Sequence, residues 1–203
     1  MIVLAYKCIK QLKDIIFCRL SSIITRLLFH LNGIVFKSGL SSSGTPLIHI
    51  SRNAQCHIGR NFTMGNWSVN SASGIYCKCK IEVRKGATLN IGDNVGMTAT
   101  TIMYFNHIEI GNNVMIGVGT HIYDTNFHNI NPIDRIMKKD PKNTVKTAPI
   151  IIHDNVFIGA FSIILKGVTI GENSVIAAGS VVTKSIPDNQ IWGGNPAHFI
   201  KNI

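Results

Sequence analysis

Of the side chains that transfer protons, attack as nucleophiles or ligate metals near neutral pH, this chain carries eight histidines and five cysteines. The cysteines, Cys8, Cys18, Cys56, Cys77 and Cys79, are odd in number and lack the spacing of a disulfide framework or a paired zinc knuckle. They point to a reduced, intracellular protein. Cys77 and Cys79, with Cys56 and His57 in an earlier repeat, could gather a metal; a single C-x-C is a weak metal signature, and packing inside the fold is the plainer use. No metal is expected. Among the histidines, His128 keeps the most reactive company. It lies in the 27-residue stretch 123–149 with Asp124, Asp134, Arg135, Lys138 and Lys139, and with three of the six prolines. A base, acids and cations in one loop suit general acid–base work, and a long loop ejected from a regular framework is a functional candidate.

The framework is a repeat with a period of six. Ile152, Ile158, Ile164, Ile170, Ile176 and Val182 each open a hexad, and Val156, Ser162, Val168, Ser174 and Ser180 stand four places on. The same frame holds at Ile110, Ile116 and Ile122, at Ile91 and Met97, and more loosely at Ile58 and Met64. Neither a helix, with steps of three and four, nor a simple amphipathic strand, with steps of two, places an aliphatic residue at every sixth position. A coil of short strands does. If each hexad is one flat side, three make a triangular turn with the aliphatic residue on the axis, the small residue inside and Gly, Asn or Asp at the corner. Neighbouring turns then pair as parallel strands about 4.8 Å apart. The period breaks once, after Ile122, and the loop at 123–149 fills the break.

Ahead of the repeats, Ala5, Ile9, Leu12, Ile16, Leu20, Ile23, Leu27 and Leu31 recur at steps of three and four, which predicts an amphipathic helix over residues 2–31. Six of the 20 Lys and Arg residues fall within the first 45 positions against one acid, Asp14. Lys7, Lys10, Lys13 and Asp14 interrupt any apolar run long enough for a signal peptide core or a membrane span. Two uses stay open for this helix: packing on its own domain or an oligomer contact, and peripheral contact of residues 1–31 with anionic lipid. Residues 39–44, with three serines in a row, read as a linker. The division is therefore residues 1–45, helix and linker, and 46–203, the coil with its loop at 123–149 and a tail at 187–203. The formal charge of +10, with 7% aromatic residues and no interleaving of aromatic and basic side chains, argues against nucleic acid and for a small anionic ligand or a lipid surface.

These hexads, sustained over roughly residues 48–186, resemble those of the hexapeptide-repeat acyltransferases. The resemblance implies an all-β solenoid, a left-handed parallel β-helix, against the usual right-handed crossover. The run Tyr123-Asp-Thr-Asn-Phe-His128 resembles the catalytic stretch of that family's sugar O-acetyltransferases, the galactoside and maltose acetyltransferases and polysaccharide-modifying relatives. On that likeness His128 is the general base, and Asp124 either orients its imidazole, holds an acceptor hydroxyl or caps local amides. The tail, Val-Thr183-Lys184-Ser-Ile-Pro187 followed by Trp192-Gly-Gly-Asn195-Pro196-Ala197-His198 and Lys201, resembles the signature of the family's acetyl-CoA users. Carried over by position, Ala160 and Ala178 contact the pantetheine arm, Thr183 and Lys184 the nucleotide end, and Lys201, with His198, the ribose 3'-phosphate; Trp192 covers the adenine.

What the resemblance implies as a whole is a cytoplasmic, acetyl-CoA-dependent O-acetyltransferase of a saccharide or glycan precursor, assembled as a homotrimer with sites between coils. Two readings stand beside it: N-acetylation of an amino sugar or antibiotic-like acceptor, and a non-catalytic β-helix scaffold. His107 and His121 could line the cleft or occupy corners. The γ-class carbonic anhydrases share the fold, but no two histidines here stand five apart as their zinc pair does. One departure bears on the acceptor: where the sugar acetyltransferases place a fixing asparagine, this chain has Met97 and Thr98.

Overall fold

The computed structural model describes residues 2–66, 74, 77–137 and 145–203. Lys138 and Lys139 lie outside the described residues. Helix α1 (Ile2–Leu31) leads into a chain that makes three sides per circuit. The first circuit is β1 (Val35–Phe36), β2 (Ser41–Ser43) and β3 (Leu47–Ile50), and the second β4 (Gln55–Ile58), β5 (Thr63–Gly65) and β6 (Lys80–Val83). The third is β7 (Thr88–Ile91), β8 (Gly96–Thr98) and β9 (Thr101–Tyr104), and the fourth β10 (His107–Ile110), β11 (Met115–Ile116) and β12 (His121–Tyr123). After the loop, with its short helix α2 (Pro132–Ile136), come β13 (Ile150–Ile152), β14 (Phe157–Ile158) and β15 (Ile163–Leu165), then β16 (Thr169–Ile170), β17 (Val175–Ile176) and β18 (Val181–Val182). The tail adds β19 (Gln190–Gly193) and β20 (His198–Asn202). First, second and third strands of successive circuits stack into three sheets, parallel throughout except that β20 runs antiparallel on β19.

The hexad explains the core. Every aliphatic residue that opens a hexad, from Ile58 to Val182, is no more than 5% exposed. The small residues four places on are buried as well, and the three serines among them bond inside the coil: Ser162 Oγ donates to the Gly159 carbonyl at 2.8 Å, Ser174 to Pro187 at 2.7 Å and Ser180 to Ala177 at 2.5 Å. One corner is an amide ladder. Asn61, Asn94, Asn113, Asn155, Asn173 and Asn189 all adopt positive φ, near 55–60°, and each side-chain amide donates to the next at 2.8–3.0 Å. Asparagine tolerates this backbone and supplies both a donor and an acceptor, so it serves the turn and the stack together. Beside it, Asp93, Asn112, Asp154 and Asp188 each cap a backbone N–H of the circuit below, at 2.7–2.8 Å.

Two expectations need correction. Parallel pairing starts at Val35, not after residue 45: Ser41, Ser42 and Ser43 pair with Thr63, Met64 and Gly65. The supposed linker is the second side of the first circuit. Ser42 is buried there, its N–H donating to Ser22 Oγ at 2.9 Å and its Oγ to the Gly44 carbonyl at 2.6 Å, so polar residues fill an inward position because α1 and Asn66 satisfy them. The period also breaks more than once, since Met64 and Ile81, on consecutive sides, are far more than six residues apart. Helix α1, with two uses open to it, leaves its apolar stripe uncovered within the chain. It packs through Ser21, Ser22, Thr25 and Phe29, while Ile9, Leu12, Ile16, Leu20, Ile23 and Leu27 are exposed.

Candidate active site

The third face of the coil ends, in each of the first four circuits, in a corner longer than the hexad allows. In the fourth circuit that corner is the inserted loop. Its base is closed: the Ala148 N–H donates to the Asp124 carbonyl at 3.0 Å, Asn126 N–H to Lys146 at 3.1 Å, and Thr125 faces Thr147 in an antiparallel bridge. On this neck the chain turns sharply. Phe127 takes φ of +63°, its N–H directed at Thr125 Oγ1 at 3.2 Å, and the His128 N–H donates to the Asn126 carbonyl at 2.7 Å. A phenylalanine rarely adopts that backbone, and such strain is held only where packing fixes it. Here the Phe127 ring stands edge-on to both Tyr123 (5.1 Å) and Phe105 (6.2 Å). The turn presents the His128 side chain to solvent.

Asp124 lies at the root of the neck, wholly buried. Its Oδ1 accepts the Phe105 N–H at 2.8 Å and its Oδ2 the Asn106 N–H at 2.7 Å, in the corner between β9 and β10. Burial pushes this carboxyl above its ordinary range, against the pull of the backbone N–H groups. Of the uses left open for it, amide capping is the one this geometry supports; Asp124 positions the loop from below.

Sequence reasoning missed the space beside the neck. A cavity of about 380 Å³ opens over the stacked corners of four circuits, walled by Arg84, Lys85, Phe105, Thr125, Phe127 and Thr147. Arg84 lies 5.4 Å over the Phe105 ring and bonds Glu82 at 2.7 Å, and Lys80 reaches the same carboxylate at 2.6 Å. Burial works against the charge on Glu82, but the Lys80 hydrogen bond and the Arg84 charge prevail and hold it below the usual carboxylate range. The signal lay in the irregular spacing after each third strand. Met97 is buried on the axis, and Thr98 is half-buried beside Gly65, on which a Cβ would come within 2.7 Å of Thr98 Oγ1.

Four of the five donor residues, all but Lys201, sit on the two edges of the same face. Ala160 and Ala178 follow β14 and β17, whose Ile158 and Ile176 are paired, and the Gly179 N–H donates to the Ala160 carbonyl at 2.7 Å. The turns press together at this corner: a Cβ on Gly159 would lie 2.5 Å from the Ala178 nitrogen. Thr183 and Lys184 are exposed at the opposite edge, just past β18. Ile122, Ile164 and Val182 are in register, so these two residues stand about 10 Å along the coil from the root of the loop. Lys201 is exposed on β20, opposite Ile191. Trp192 is half-buried against the core, its Nε1 bonded to Gln190 at 2.8 Å and its ring 6.4 Å from Phe199. His121 and Tyr123 share a 2.6 Å hydrogen bond, and His107 lies 3.6 Å from Glu109.

Burial pushes the Cys56 thiol up to about 12 and Cys79 up to about 11. Both pack in the core, which is the plainer of their two uses. Among the described residues no three His, Cys, Asp or Glu side chains gather as a metal site.

Residues 149–184 match the bacterial transferase hexapeptide family (six repeats). The galactoside O-acetyltransferase of Escherichia coli is 33% identical over 158 residues, 78% of this chain and 59% of that protein. The galactoside O-acetyltransferase of Lactococcus lactis is 43% identical over 139 residues, 68% of this chain and 55% of that protein. The chain thus spans rather more than half the length of these relatives. In fold it is similar to AntD, an N-acyltransferase from Bacillus cereus solved with dTDP-4-amino-4,6-dideoxyglucose and coenzyme A, at a TM-score of 0.65 and 23% identity, covering 87% of this chain and 88% of that one. With its three-sided coil of six-residue sides, the chain is a hexapeptide-repeat protein of the bacterial transferase type whose sequence similarity runs to the sugar O-acetyltransferases.

Proposed function

We propose that this protein transfers an acetyl group from acetyl-CoA to a hydroxyl of a saccharide or glycan precursor, with His128 as the general base. The observation that carries this reading is the rigid neck, which holds His128 beside a face bordered by Ala160 and Ala178 on one edge and by Thr183 and Lys184 on the other. The imidazole takes the hydroxyl proton as the oxygen attacks the thioester carbonyl, then returns it to the departing thiolate, so no enzyme nucleophile is needed. A backbone N–H aimed at the tetrahedral oxygen lowers the barrier by about 3 kcal/mol. Lys184 and Lys201 are exposed cations suited to the phosphates of CoA, and the small side chains at 160 and 178 leave the corner open to a narrow pantetheine arm.

His128, Ala160, Ala178, Thr183 and Lys184 line two edges of one face rather than a closed cleft, with Lys201 on the neighbouring sheet, and a second coil laid against that face would complete the site. The assembly is accordingly read as a trimer of left-handed coils, and its place as the cytoplasm. The test is an acceptor screen that follows thiol release from acetyl-CoA across sugars, amino sugars and serine. Turnover with a saccharide hydroxyl, lost in His128→Ala, supports the reading. Turnover confined to amines transfers the same chemistry to N-acetylation, and a failure of CoA to raise the melting temperature overturns the donor assignment.

A further inference from the structure

Helix α1 is amphipathic in an inverted sense. With about 100° between successive residues, Cys18, Ser22, Thr25 and Phe29 share one face, and this face meets the coil: Ser22, Thr25 and Phe29 are at most 8% exposed, and Ser22 bonds Ser42. The opposite face carries Ile9, Ile16, Leu20, Ile23 and Leu27, each 48–59% exposed. A helix that served only to cap the coil would turn its apolar side inward. This one turns small and polar side chains inward and its aliphatic side out. The half of the helix before Cys18 is exposed at every residue from Val3 to Phe17 but Asp14, and its apolar surface is wider still, with Leu12, Ile15 and Phe17 flanking Ile16. Lys7, Lys10 and Gln11 keep to a narrow polar strip on the side that continues the coil-facing surface.

Charge selects the occupant. The helix holds Lys7, Lys10, Lys13, Arg19 and Arg26 against Asp14 alone. Arg19 borders the apolar face on one side, and Lys13 and Lys10 border it on the other; Arg26 is tied to the Leu40 carbonyl at 2.8 Å. Cations at the margins of an aliphatic face suit a layer with a hydrocarbon interior and an anionic surface. A second copy of α1 would bring the same cations against one another. No helix among the described residues is long and apolar enough to cross a membrane, so the contact is with the surface.

We propose that α1 docks this protein on an anionic lipid surface, apolar face down, with the coil held above it by the Ser22 and Thr25 side. Binding draws on the attraction of the basic residues to such a surface and, for the larger share, on the buried aliphatic side chains.

The test floats the full chain with vesicles of phosphatidylcholine alone and with vesicles in which about a quarter of the lipid is phosphatidylglycerol. The expected result is binding to the anionic vesicles, at least tenfold weaker to the neutral ones, and weakened by salt. Replacing Leu12→Asp with Leu20→Asp lowers the anionic partition tenfold or more, and Lys10→Gln with Lys13→Gln about tenfold. All four positions are exposed, and a melting temperature matching the parent certifies that each variant is folded. Equal binding to both vesicle types, or none to either, overturns the proposal. So does an assembly in solution, without vesicles, that the Leu12→Asp and Leu20→Asp pair dissociates, because the face would then be closed by another copy. Acetyl transfer plays no part in the readout, so this proposal and the proposed activity stand or fall separately.

Discussion

The carboxylate of Asp124 accepts the backbone N–H of Phe105 at 2.8 Å, one circuit back along the coil and sealed from solvent. The bond ties the root of the inserted loop to the corner beneath it, and Phe127, at the crest of the neck, rests on Phe105 from the other side. The turn that carries His128, the proposed general base, is therefore held from a corner one circuit away.

Removing that tie is costly. Asp124→Ala removes the acceptor of the Phe105 and Asn106 N–H groups at a part-buried corner and destabilises the protein by about 1–3 kcal/mol. Urea unfolding measures the loss. Acetyl transfer falls with it, while the KM for acetyl-CoA holds.

His128 should behave oppositely. Its side chain is exposed, so His128→Ala leaves the free energy of unfolding within about 1 kcal/mol of the parent. Turnover drops by a factor on the order of 100 to 10,000. Near-parental turnover in the folded variant removes His128 from the mechanism.

The two lysines assigned to the donor are separable from chemistry. Lys184→Ala and Lys201→Ala each raise the KM for acetyl-CoA about tenfold with little change in kcat, the loss of one charge-assisted hydrogen bond. A smaller rise of melting temperature on adding CoA should accompany each.

Acid sensitivity should come from the ladder corner, with Glu82 adding to it. The N–H of Arg60 beside Asp93, and that of Asn112 beside Asp154, hold these carboxyls below the usual range. A carboxyl depressed by folding contributes stability that is present above its unfolded pKa and lost as pH falls toward the folded one. The urea midpoint should hold from about pH 8 to 5 and fall below about pH 4. Asp154→Asn, which keeps an acceptor for the Asn112 N–H, makes that fall shallower. Asp124 works the other way, because burial raises its pKa and protonation relieves the cost.

The regular part of the coil was legible because one residue in six must fill the axis, and Ile152 to Val182 obey that demand without a gap. Its beginning was not, because Ser41, Ser42 and Ser43 occupy a side of the first circuit with no aliphatic residue among them; Ser42 is tolerated inside only through Ser22 and Asn66, contacts of 20 and 24 residues' separation. Asp124 was legible as a polar residue near His128, but spacing along a loop does not say whether a carboxylate faces an imidazole or two backbone amides. The cavity at Arg84 and Phe105 escaped because its walls come from four circuits, and each corner alone reads as a small irregularity. The stripe on α1 was read correctly as a stripe. Which way it faced depended on Ser22 and Phe29 finding partners in the first circuit.

The neck of the inserted loop has an evolutionary reading. Asp124 pairs with Ala148 and Asn126 with Lys146, so the register of the coil does not depend on what the chain does beyond this neck. Lengthening such a closed excursion costs only about 0.6 kcal/mol per doubling. The segment beyond the neck is thus a cassette: its length and composition can change while the circuits on either side keep their register.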